Sequence, residues 1–217
     1  MIRSLTLEAP AWNKREIMRY ARIRDTENDY HTLIDECIDE AKDVLSYRVC
    51  YTVLPADHDG VITIGTAAVA SKTLKKAIRG AKEALLFAAT VGAPFDRLIQ
   101  RYSSAEPSRA LVFQAIGAER AESLCDAFCE QMTSQLRAAG KCLTPRVSPG
   151  YGDITLDIQK DIFAVLDCPR KIGLTLDESL LMSPSKSVTA IAGIVRECEA
   201  ESDKCSSCDK NDCVYRQ

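Results

Sequence analysis

The strongest constraint on the fold is one long amphipathic segment, from Ser108 to Ala139. Its apolar residues recur at steps of three and four, which is the period of an α-helix with one buried face. Such a helix spans most of a small domain, since each residue adds about 1.5 Å to its length. We therefore predict a long core helix that ends at Gly140, with Gly117 as a position where it can kink.

Shorter patterns on both sides of this helix alternate between helical and extended character. Helices are expected at 28–47, from Ser71 as N-cap to Ile78, from about Phe95, and at 157–166; extended stretches are expected at 49–54, 61–66, 82–92, 173–176 and 187–195. Helices and strands do not alternate regularly enough for a doubly wound parallel sheet. We predict an α+β fold, with a mixed, largely antiparallel twisted sheet flanked by helices and the long core helix.

Length and charge limit the classes of protein to which the chain can belong. A chain of 217 residues can bury a proper core, and we expect one main domain at 1–196 followed by a cysteine-rich tail at 197–217. A net charge of -3 with a pI near 5.5 gives no reason to expect nucleic acid as a partner. No secretion signal or membrane-spanning run stands out, so we expect a cytoplasmic protein without a membrane partner.

Eight of the ten cysteines fall into two groups. Cys37, Cys50, Cys125 and Cys129 lie in apolar patterns and are expected to pack in the core rather than to form disulfides. A second group crowds into a polar segment near the C-terminus and has spacings that suit a zinc ion or an iron–sulfur cluster: Cys198, Cys205, Cys208 and Cys213. A disordered tail is the alternative.

Common catalytic signatures are missing from the sequence. It has no Walker-type phosphate loop, no G-x-G-x-x-G after a strand, no H-E-x-x-H and no G-x-S-x-G. It has only two histidines, His31 and His58, and both are expected at the surface. Catalysis by a histidine general base therefore has little support.

The most distinctive stretch is the Gly- and Pro-rich loop from Arg146 to Asp153. Arg146 and Tyr151 flank Val-Ser-Pro-Gly, an arrangement that suits a ligand with a carboxylate and a flat ring, because arginine can bind a carboxylate through two hydrogen bonds. The glycines would let the backbone approach such a ligand. Spacing alone favours the plainer interpretation, an arginine ion pair beside an ordinary turn.

Three motifs together resemble the AdoMet-binding activation domain of cobalamin-dependent methionine synthase. Arg146-Val-Ser-Pro-Gly-Tyr151 matches the family's R-x-x-x-G-Y loop, and Glu178-Ser-Leu-Leu-Met-Ser-Pro-Ser-Lys-Ser-Val188 matches E-S-x-x-M-x-P-x-x-S-V. The helical segment Ala121–Glu130 resembles A-x-x-L-A-E-A-F-A-E, which places Asp126 where the family has an acidic ligand residue. The resemblance covers roughly 77–195, with a weaker extension towards the N-terminus.

The resemblance implies a set of site residues. Those expected to bind S-adenosylmethionine (AdoMet) are Asp126, Arg146, Ser148, Gly150 and Tyr151, supported by Glu178, Ser179, Met182, Pro184 and Ser187. The chain departs from the family at two places. Gly152-Asp153 stands where the multidomain enzymes often have Pro-Ala, and the aromatic segment after Ser-Val is replaced by Thr189–Gly193.

The resemblance also implies a function that needs a partner. The chain would be a methyltransferase component that presents AdoMet for the reductive methylation of cob(II)alamin, and so reactivates a methionine synthase encoded as a separate chain. Cobalamin would be carried by that partner, and flavodoxin or ferredoxin would donate the electron. Two alternatives remain open, a metal-containing redox activator of another corrinoid methyltransferase and a non-catalytic AdoMet-binding partner protein.

Overall fold

The computed structural model of the chain describes residues 1–23, 28–57 and 60–196. His58, the proposed tail at 197–217 and its four cysteines lie outside the described residues. The division into two regions and the metal site therefore stay predictions. Every helix in the described ranges is too short or too polar to span a membrane.

Helices and strands are interspersed along the described residues. The helices are α1 (Lys14–Ala21), α2 (Asn28–Lys42), α3 (Lys72–Ala77), α4 (Ala93–Ala105), α5 (Pro107–Arg137), α6 (Ile158–Leu166) and α7 (Cys168–Ile172). The strands are β1 (Arg3–Thr6), β2 (Arg48–Pro55), β3 (Ile62–Ile64), β4 (Ala67–Val69), β5 (Glu83–Thr90), β6 (Cys142–Leu143), β7 (Thr175–Leu176), β8 (Met182–Ser183) and β9 (Ser187–Val195). The predicted α+β class and the long helix are confirmed.

Five strands form a sheet in the order β1-β2-β5-β9-β6, and each neighbouring pair is antiparallel. The central strand β5 is apolar on both faces because both faces are covered. Leu85 and Phe87 pack in a core with α1, α2, α4 and α5, whereas Leu86 and Ala88 pack in a second core with α3, α6 and α7. Side chains that alternate along one strand thus build two separate cores.

Two helices differ from the sequence prediction. Helix α5 continues through Gly117 without a break, and a Cβ there would lie 2.6 Å from the Phe95 ring and 2.7 Å from the Lys186 stem. The glycine thus allows close packing. The predicted end of α2 at Tyr47 is wrong, because the helix stops at Lys42 and the amides of the next turn fold back onto the Ala41 carbonyl.

A buried ion pair on α5 holds the N-terminal segment. Glu119 and Arg120 are almost fully buried and bind each other. Arg120 also donates to the carbonyls of Pro10 and Ala11, each at 2.7 Å, and its guanidinium lies 4.0 Å from the centroid of the Trp12 ring. These contacts fix the segment between β1 and α1 against the middle of α5.

Candidate functional site

Two carboxylates and one arginine meet at the surface of α5. Glu122 and Asp126 are four residues apart, so they lie on the same face of the helix. Arg146 donates from Nη2 to Glu122 Oε2 at 2.8 Å and to Asp126 Oδ1 at 2.7 Å. The Arg146 side chain is 21% exposed, whereas Glu122 is 45% and Asp126 76% exposed. The arginine is half-buried, and the acids stay open to solvent.

The edge of the sheet places Arg146 against α5. After β6 the chain stays beside β9, where Thr144 exchanges hydrogen bonds with the backbone of Gly193. Val147 then forms an isolated bridge with Ile191, with N–H···O distances of 2.9 and 2.8 Å. Because the residues on both sides of Arg146 are tied to β9, its side chain has a fixed origin from which it reaches α5.

The net charge of this group and the unused donors of Arg146 suit the binding of a ligand. Two carboxylates share one guanidinium, so the trio carries one net negative charge. Both hydrogen bonds of Arg146 leave from Nη2, and its Nε and Nη1 donors have no acceptor among the described residues. Since a guanidinium offers five donors, the remaining ones can bind a carboxylate while the exposed acid Asp126 binds a cation.

The loop after Arg146 makes a tight turn. The amide of Tyr151 donates to the Ser148 carbonyl at 3.0 Å, and that of Gly150 donates to the Ile154 carbonyl at 2.8 Å. Gly150 has a φ of +84°, which other residues rarely adopt. The Tyr151 ring is 66% exposed at the tip of the loop. The turn thus presents an aromatic ring to solvent close in sequence to the arginine.

Asp153 joins this loop to the start of α3. Its carboxylate accepts hydrogen bonds from the Ser71 hydroxyl, from the amide of Lys72 at 2.7 Å and from the amide of Thr73 at 3.0 Å. Together these hydrogen bonds hold the pKa of Asp153 well below its usual range, and the bond from Ser71 contributes most. Ser71 is the N-cap of α3, as predicted, because its hydroxyl also accepts from the Leu74 amide at 3.0 Å.

Two thiols lie on the helix beside Arg146. Burial raises the pKa of both Cys125 and Cys129, the latter to about 11. Both thiols are therefore protonated at neutral pH, and a protonated thiol is a poor nucleophile and a poor metal ligand. These cysteines serve as apolar packing residues, as expected for Cys125 and Cys129 from their sequence pattern.

The Glu178–Val188 segment leads into the start of β9, where Ser187 pairs with Thr90 of β5. Glu178 and Ser179 are exposed, Met182 is half-buried in β8, and Pro184 and Ser187 are buried. The Ser187 hydroxyl lies 2.8 Å from Thr90 Oγ1 and 2.7 Å from the Pro184 carbonyl. Among the described residues, no hydrogen bond of this segment reaches the Arg146 loop. Its contacts shape the connection into β9.

The sequence motifs did not indicate two residues of the candidate site, Glu122 and Asp153. Glu122 could have been found from its four-residue spacing to Asp126. Asp153 gave no local signal, because its partners lie about 80 positions earlier in the chain.

Comparison with known proteins bears on the fold. No protein-family model matches the chain, and no curated protein matches it significantly. Among solved structures, it matches the crystal structure of the MetH reactivation domain bound to AdoHcy, with a TM-score of 0.65 and 15% sequence identity over 92% of this chain and 80% of that one. The chain shares that fold. The resemblance seen in the motifs is therefore confirmed at the level of the fold.

Residues 1–23, 28–57 and 60–196 contain no group of three or more His, Cys, Asp or Glu side chains placed to hold a metal ion. The cysteines predicted to bind metal lie beyond these ranges.

Proposed function

We propose that this chain binds AdoMet at the site formed by α5 and the Arg146 loop, and presents its methyl group to a cobalamin carried by a partner methionine synthase. The proposal rests on the pairing of Arg146 with Asp126, together with an exposed Tyr151 five positions after Arg146 in the same loop. It occurs on a fold shared with a reactivation domain whose crystal structure contains AdoHcy. AdoHcy is AdoMet without the transferred methyl group.

The residues at this site fit the amino-acid end of AdoMet. Its α-carboxylate suits the Nε and Nη1 donors of Arg146, and its ammonium group suits the exposed carboxylate of Asp126. The net negative charge of the trio also suits AdoMet, which carries a positive sulfonium. The Ser148 amide and the Gly150 carbonyl, which the turn does not use, and the ring of Tyr151 are available for the adenosine part. No covalent catalytic residue is required, because the chain's task is to hold and orient the methyl donor.

The solvent exposure of the site favours a function that involves a partner protein. Asp126 and Tyr151 are mostly exposed, so a bound AdoMet would remain accessible to a second protein. Cobalamin on that partner would supply the cobalt that accepts the methyl group, with one electron from an external donor such as flavodoxin or ferredoxin. We propose that this encounter takes place in the cytoplasm.

The cysteine tail is proposed to bind zinc or an iron–sulfur cluster. The spacing Cys198-x6-Cys205-x2-Cys208-x4-Cys213 supports the proposal. Visible absorbance that bleaches with dithionite indicates a cluster, whereas a colourless protein with stoichiometric zinc indicates a structural ion. Loss of cob(II)alamin reduction in Cys208→Ser would favour a redox activator over a pure AdoMet-binding subunit.

Titration calorimetry with AdoMet tests the main proposal. Wild type should bind, and Arg146→Ala should bind at least about tenfold more weakly, because it loses a charge-assisted contact of about 1.5–3 kcal/mol. Arg137→Ala, which removes an exposed arginine at the end of α5, is the matched control and should bind like wild type. Absence of binding to wild type, or equal binding by Arg146→Ala, would overturn the proposal. Binding without methyl transfer to a cobalamin partner would indicate a non-catalytic AdoMet-binding protein.

A further inference from the structure

We infer that Asp153 is a positioning residue of the AdoMet site, which holds the Tyr151 end of the loop in place by anchoring it to the first turn of α3. The inference rests on the function proposed above, and it names a residue to which the sequence motifs gave no role. Asp153 acts through the loop, since its carboxylate is occupied by α3 rather than directed at a ligand.

The anchor consists of three donors that converge on one carboxylate. The first amides of a helix have no partner in a preceding turn, so α3 offers free N–H groups at Lys72 and Thr73. Asp153 accepts from both, through different oxygens, and also from the Ser71 hydroxyl. Ser71 in turn accepts from Leu74, so the carboxylate is linked to a residue that is fully buried in the second core.

The hydrogen bonds in the middle of the loop join residues of the turn, from Ser148 to Ile154, only to one another. Gly150, Tyr151 and Gly152 are all exposed, and both glycines have positive φ. Glycine loses more conformational freedom on ordering than other residues, so this stretch is costly to fix. The arginine end is tied to β9 through Val147, and the Asp153 anchor ties the opposite end.

The backbone at Gly152 shows how closely the loop approaches α3. A Cβ at Gly152 would clash with the Thr73 side chain, and the φ of +62° also disfavours other residues. Thr73 Oγ1 lies 3.5 Å from the Asp153 amide. Gly152-Asp153 thus works as a pair, in which glycine permits the approach and aspartate secures it. This pair is also where the chain departs from the multidomain family pattern.

A purely structural role for Asp153 would have a different signature. If the carboxylate only capped α3, its loss would lower the melting temperature and leave AdoMet affinity unchanged at temperatures far below melting. If it positions the loop, its loss leaves the binding-competent loop populated only in part, and the apparent affinity falls by that fraction.

The test is a double-mutant cycle on AdoMet affinity, measured by calorimetry on the full chain well below its melting temperature. Asp153→Asn should weaken binding about tenfold. Ser71→Ala should also weaken it, and the double variant should bind no worse than Asp153→Asn, because Ser71 reaches the loop only through Asp153. Asp157→Asn removes an exposed carboxylate nearby that α3 does not use, and it should bind like wild type.

Hydrogen exchange without ligand provides an independent measurement. In Asp153→Asn, the amides of Gly150 and Tyr151, which are hydrogen-bonded within the loop, should exchange faster, while those of α5 stay protected. Unchanged exchange, or AdoMet affinity within twofold of wild type, would refute the inference. If wild type binds no AdoMet, the proposed function fails. The exchange result then still shows whether Asp153 orders the loop.

Discussion

Replacing Asp126 by asparagine should separate ligand binding from stability. Asp126 is 76% exposed, and it accepts a hydrogen bond from Arg146 Nη2, which also donates to Glu122. Glu122 remains in the variant, so the arginine keeps an acidic partner. An exposed ion pair of this kind contributes about 0–1 kcal/mol. The melting temperature should therefore fall by no more than about 4 °C.

The expected effect on AdoMet affinity is much larger. In the proposed site, the Asp126 carboxylate accepts a hydrogen bond from the ligand's ammonium group. Loss of such a charged partner costs about 1.5–3 kcal/mol. The dissociation constant should therefore rise about 10- to 150-fold.

The assay is calorimetry with AdoMet, paired with thermal unfolding of the same samples. Glu130→Gln is the control, because it removes an exposed carboxylate one helical turn further along α5. It tests whether any negative charge near a cationic ligand has the same effect. Binding of AdoMet by Asp126→Asn within twofold of wild type, or a loss of affinity no larger than that of Glu130→Gln, would exclude this role for Asp126.

Two further predictions concern stability. Glu119→Ala leaves the charge of the fully buried Arg120 without its anionic partner, and should lower the free energy of unfolding by about 3–5 kcal/mol in urea titrations; a loss below about 1 kcal/mol would contradict the role given to the pair. Because the folded-state pKa of Asp153 is lowered, its stabilising effect is complete above the unfolded-state value of about 3.9 and is lost as the pH falls below it. The difference in melting temperature between wild type and Asp153→Asn should therefore stay constant from pH 6 to about pH 4 and shrink as the pH falls further, towards about pH 3. A difference that stays constant over the whole range would show that the anchor does not depend on the charge.

The parts of the fold that the sequence predicted are those with strong local signals. Helix α5 has a long uniform period, strand β5 is a continuous apolar run, and Ser71 is a typical cap. Strand β1 and helix α1 were not predicted. Both are short, and the segment between them is held by Glu119 and Arg120, more than 100 positions further along the chain.

The site was predicted in part for a similar reason. Arg146 and Asp126 were identified from motif resemblance, and their pairing depends on how β6 and the following residues run along β9. That register cannot be read from either motif. The role of Asp153 depends on the placement of α3 beside the loop, which is set by packing in the second core.

A crystal structure of the chain with bound AdoMet would locate the binding site. We expect AdoMet beside α5, with its α-carboxylate on Arg146, its ammonium group on Asp126 and its adenosine next to Tyr151. AdoMet bound elsewhere on the chain, with the Arg146 and Asp126 pair unchanged, would rule out this site.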